Sequence, residues 1–97
     1  MAPFHIDDMK ELYRAIIRLE SEEECGNFLE DLCTIKEIRD MAQRFKVARM
    51  LDEGENYKRI CESTGMSTAT ISRVNKCLEY GAGGYRLALA RAKEESK

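Results

Sequence analysis

The stretch TGMSTATISRVN, residues 64–75, decides how this chain is read. A glycine, a serine two residues later and a run of small hydroxyl residues closing on an arginine make either a tight turn between packed helices or a device for reading DNA. On a helical wheel of about 100° per residue, Ile71, Val74 and Leu78 share one side. Ala69, Ser72, Arg73 and Lys76 point roughly the other way. Upstream, Asn56 is placed to cap a short helix, YKRICEST, that ends at Gly65, and Ser67 to cap the next, TATISRVNKCLEY.

Two short helices at a steep angle with a tight turn between them define a helix-turn-helix. Cys61 supplies the small residue where the helices cross, and Gly65 the residue able to take positive φ. Ile60, Met66, Ile71 and Val74 line the inward faces, and Thr64 is the softer position of the motif. The outward face is small, hydroxylated and basic, which suits a major groove about 12 Å wide. Thr68, Ala69 and Thr70 stand at the N-terminal end, where base edges are approached, and the capping Ser67 also belongs to the candidate DNA-binding set. Lys58, Arg59 and Lys76 lie where phosphates would pass, and Ser72 and Arg73 complete the candidate DNA-binding set. The competing reading is a helical protein-interaction adaptor that does not bind DNA.

The surrounding sequence is helical throughout. No run alternates with period two, whereas apolar residues recur at helical spacing. Ile6, Met9, Leu12, Tyr13, Ile16 and Leu19 form a first stripe after a candidate Asp7 cap. SEEE from Ser21 and TIKE from Thr34 are capping boxes, each pairing a hydroxyl with a glutamate three residues on. The helix after Ser21 carries Cys25, Phe28, Leu29 and Leu32. The one after Thr34 presents Ile38, Met41, Ala42, Phe45, Ala48 and Leu51, widened by Ile35, Val47 and Met50, and Gly54 stops it. So wide a stripe predicts burial on several sides. GAGGY, residues 81–85, has no strand before it and reads as a hinge or helix break rather than a phosphate loop.

Composition bounds the function. Ninety-seven residues suit a single domain whose core is hard to build alone. No apolar run approaches the roughly 20 residues of a membrane span, and the start shows no secretory signal, so a cytoplasmic location without membrane contact is expected. The four cysteines include no C-x-x-C pair and read as buried, reduced thiols, not as a metal or disulfide set; Cys25 and Cys33 are placed near one helix face. The net charge of -2 conceals a division: residues 1–33 hold three basic against nine acidic groups, and residues 34–76 nine against six. A mildly basic middle permits DNA binding, because electrostatic footprints are local. The one histidine, His5, has no nucleophile or orienting partner in view, so an enzyme is not expected.

The segment Leu32 to Leu78 resembles the Trp repressor family, and the whole chain is similar to its small YerC/YecD branch. The resemblance is carried by T-x-x-E-x-R from Thr34, by Arg44, by L-x-x-G-E around Gly54 and by ATISR at 69–73. It implies an all-α fold, a helical bundle with a helix-turn-helix, assembled as an intertwined homodimer in which a partner covers the wide apolar faces. The expected organisation is one domain over 1–97, with dimerisation helices in 1–54, the helix-turn-helix in 56–80 and a C-terminal helix in 84–97. The implied function is a sequence-specific transcriptional regulator, a repressor acting on double-stranded DNA. The resemblance also implies a candidate effector pocket at Thr34, Arg44 and Arg73, since family members sandwich tryptophan between two arginines at the latter positions. The glycine that follows the second arginine in the family is Val74 here, and Asp31 and Cys33 replace an apolar wall. Tryptophan is therefore not expected as a cofactor, and the identity of any effector stays open.

Overall fold

The structure is a computed structural model that describes residues 6–95; His5 and residues 96 and 97 lie outside them. Among the described residues there are six helices and no strand. They are α1 (Ile6–Ile17), α2 (Glu22–Leu32), α3 (Ile35–Asp52), α4 (Tyr57–Thr64), α5 (Thr68–Tyr80) and α6 (Gly84–Glu95). The chain divides into two compact units, one ending at Ile38 and the other beginning at Arg39.

In the N-terminal unit the helix starts are set by short polar side chains. Ser21 Oγ accepts from the Glu24 N–H at 3.1 Å. Glu24 reaches back one residue further than a capping box requires, accepting from the Glu20 N–H at 3.0 Å. The box at α3 is reciprocal: Glu37 N–H donates to Thr34 Oγ1 at 3.1 Å, and Thr34 N–H donates to Glu37 Oε1 at 2.8 Å. Those contacts from the Thr34 backbone and side chain hold the Glu37 carboxyl below its ordinary value. Two expectations shift. Helix α1 already includes Ile6, so Asp7 lies in its first turn, where an acid favours the helix dipole. Cys33 is the extended residue that ends α2, and so shares no helix face with Cys25.

The C-terminal unit has a core of Val47, Ala48 and Met50 from α3, Ile60 from α4, Ile71, Val74 and Leu78 from α5, and Leu89 from α6. Leu51, Tyr57, Cys61, Met66 and Tyr85 pack around it. Each buried Val, Ile, Leu or Met side chain contributes about 1.5–3 kcal/mol relative to exposure. Burial on α3 is narrower than its stripe predicts, since Met41 and Phe45 remain more than a third exposed. The end of α3 is a Schellman turn: Glu55 N–H donates to the Met50 carbonyl and Gly54 N–H to that of Leu51, with Gly54 at φ 89°.

Candidate functional site

Two capped helices and one left-handed glycine build the helix-turn-helix. Asn56 Oδ1 accepts from the Arg59 N–H at 2.9 Å and starts α4. Gly65 ends it at φ 73°, its N–H donating to the Cys61 carbonyl at 2.9 Å. Ser67 Oγ then accepts from the Thr70 N–H at 3.2 Å and starts α5. Thr64, the soft position of the sequence pattern, has a definite task here. Its hydroxyl donates to the Ile60 carbonyl at 2.7 Å and accepts from the Met66 N–H at 3.2 Å, so the turn leaves neither group unmet.

Packing separates the two faces of α5. Ile60 and Ile71 are fully buried against each other's helices, with Val74 and Leu78 following along α5. Thr68, Ala69, Ser72, Arg73 and Lys76 are exposed, as are Ser67, Lys58 and Arg59. Thr70 is half-buried, its hydroxyl 3.1 Å from that of Ser67, so it is held at the edge of the outward face. Arg59 Nε pairs with Glu55 at 2.9 Å, which partly offsets its charge.

The candidate effector residues are divided between the two units. Thr34 lies in the N-terminal unit, where it caps α3. Arg44 and Arg73 meet in the C-terminal unit at the wall of a cavity of about 440 Å³. Asp40, Thr70, Cys77 and Tyr85 share that wall, and Val74 borders it while staying 3% exposed. Tyr85 also faces Phe45, with ring centroids 6.4 Å apart. Local spacing gave no signal for Tyr85, because the glycine break separates it from every other lining residue. The four cysteines are free thiols but are not buried as expected: Cys25, Cys33 and Cys61 are half-buried and Cys77 is exposed. Among the described residues no cluster of three or more potential metal ligands occurs, and no helix is long and apolar enough to cross a membrane.

Comparison with known proteins agrees over most of the chain. The family model for the Trp repressor protein matches residues 7–93. The uncharacterized protein YerC of Bacillus subtilis is 53% identical over 87 residues, covering 90% of this chain and 84% of that protein. Two solved structures superpose closely. A TrpR-like protein of Eubacterium eligens gives a TM-score of 0.86 at 47% identity, covering 90% of each chain. A provisional Trp repressor of Staphylococcus aureus gives 0.87 at 43% identity, covering 92% of this chain and 89% of that one. Capped helices, a left-handed turn glycine and this breadth of match lead to one conclusion: the chain belongs to the Trp repressor family.

Proposed function

We propose that this chain is a sequence-specific, DNA-binding transcriptional regulator, a repressor that acts as a homodimer through α4 and α5. The observation that carries the reading is the division of α5, with Ile71, Val74 and Leu78 buried and Thr68, Ala69, Ser72, Arg73 and Lys76 exposed. A helix serving packing alone needs no row of short hydroxyl and basic side chains on its free face. The provisional repressor of Staphylococcus aureus supports the same assignment at the level of the family. In this reading Thr68 and Ala69 approach base edges, while Lys58 and Lys76 meet phosphates. The exposed apolar residues of α1 (Ile6, Tyr13 and Ile17) form the face that a second copy covers. The cavity beside Arg44 and Arg73 is not a tryptophan switch, because Val74 occupies the position that the family keeps as glycine.

The test is a titration of the protein against duplexes selected from genomic DNA, with half-sites about 34–36 Å apart, and against scrambled controls. Lys76→Gln weakens binding to all sequences alike and lowers the salt slope by about one, because one counterion release is lost. Thr68→Val changes preference at one base position by about 1–3 kcal/mol. Millimolar tryptophan leaves the curves unchanged. If neither substitution alters binding while the protein stays folded, the hairpin is structural and the adaptor reading replaces this one.

A further inference from the structure

Asp52 closes α3 at the end where a helix dipole is negative, an unfavourable place for a carboxylate. Its side chain is only 15% exposed, and two cations of α6 converge on it. Arg86 Nη1 donates to Oδ1 at 3.0 Å, and Lys93 Nζ donates to Oδ2 at 2.7 Å. The Lys93 hydrogen bond, aided by both positive charges and opposed by burial, keeps this carboxyl below its ordinary value. Arg86 is engaged a second time. Its Nε donates to the Leu78 carbonyl at 3.2 Å, in the last turn of α5, where helices leave carbonyls without partners of their own.

We propose that Asp52, acting through Arg86, is a positioning residue for the recognition helix: it locks α6 onto the C-terminal turn of α5 and so fixes the angle at which α5 presents its outward face. The role rests on the DNA-binding reading above. The break between Tyr80 and Gly84 means that no continuous helix transmits the position of α6 to α5, so side chains must do it. Leu89 and Tyr85 supply apolar packing there, and Arg86 is the side chain whose hydrogen bonds join Asp52 to the last turn of α5. Helix α5 has 13 residues. At about 1.5 Å of rise per residue, a tilt of roughly 10° pivoting near Leu78 carries Thr68 through about 3 Å. A shift of that size takes a hydrogen bond out of range. Lys93 holds Asp52 without reaching α5, which gives the proposal its discriminating variant.

The experiment combines hydrogen exchange and DNA titration on the full-length Asp52→Asn, Arg86→Lys and Lys93→Met proteins. Asp52→Asn speeds amide exchange in α6 and the last turn of α5 by about threefold, as expected for local opening. It weakens DNA binding about fivefold at an unchanged salt slope, because no phosphate contact is removed. Arg86→Lys keeps a positive charge for Asp52 and loses the donor to Leu78, so it weakens DNA binding to a similar degree. Lys93→Met speeds exchange in α6 and binds DNA as the wild type does. Unchanged exchange in Asp52→Asn overturns the lock. Faster exchange with wild-type affinity overturns the positioning role, and so does a Lys93→Met protein that binds as weakly as Asp52→Asn. A wild-type protein that binds no duplex overturns the DNA reading together with the positioning role, and the exchange data then decide the lock alone.

Discussion

From Arg39 onward, four helices contribute to one core in which Val47, Ile60 and Ile71 lose all contact with solvent. Helices α1 and α2 are also amphipathic, yet neither buries a residue. On α1, Ile6, Tyr13 and Ile17 follow a heptad-like spacing along one face and are 69%, 53% and 79% exposed. Met9 and Leu12, on the neighbouring face, are half-buried. A helix that leaves so much apolar surface in solvent is incomplete as a folding unit. The C-terminal unit buries a core of its own, whereas the described helices of the N-terminal unit leave Ile6, Tyr13 and Ile17 exposed.

That contrast is broken or sharpened by substitutions on each side of it. The largest effect is expected from Ile17→Glu. If a second copy covers α1, the change buries a charge with no partner and costs about 3–5 kcal/mol. The wild-type thermal midpoint then rises with protein concentration, and the variant sediments as a monomer. A wild-type monomer at micromolar concentration, with a midpoint independent of concentration, would remove the distinction between the units. Within the C-terminal core, Ile71→Ala should cost about 2–5 kcal/mol in urea unfolding, since it leaves a cavity where nothing can collapse freely. A loss below about 1 kcal/mol would mean that this core is looser than its burial implies.

A smaller effect belongs to the turn. Gly65 sits at φ 73° with open space where a Cβ would go, so Gly65→Ala adds backbone strain alone, about 1–2 kcal/mol. The smallest belongs to Asp52. Its folded pKa is depressed, so its contribution is present above the ordinary carboxylate value of 3.8 and disappears as pH falls through the lower folded value. The stability difference between wild type and Asp52→Asn should be below about 1 kcal/mol near neutrality, given the exposure of both cations, and should vanish in acid. A difference that grows on acidification would reverse the sign of the coupling.

What could be read from the sequence was chemistry acting within one helical turn. Ser21, Thr34, Asn56 and Ser67 cap as their spacing to the next turn implies, and Gly54 and Gly65 take positive φ where the helices stop. The inward residues Ile60, Ile71, Val74 and Leu78 follow from the same period. The placement of Arg44 beside Arg73 came through the family resemblance, since they lie on different helices. Nothing local announced that Asp52 would meet partners 34 and 41 positions away, or that Tyr85 would join the cavity. Nor did periodicity tell which part of the long α3 stripe its own chain would cover. An apolar face records that burial is needed, not what provides it.

Thr70 and Arg73 belong at once to the cavity wall and to the rim of the outward face of α5. A single codon change at either position therefore rewrites two surfaces together. Drift in what the cavity admits cannot proceed there without altering what the helix displays. Lineages that diverge at these two sites must change both properties in one step or restore one of them by a second mutation elsewhere.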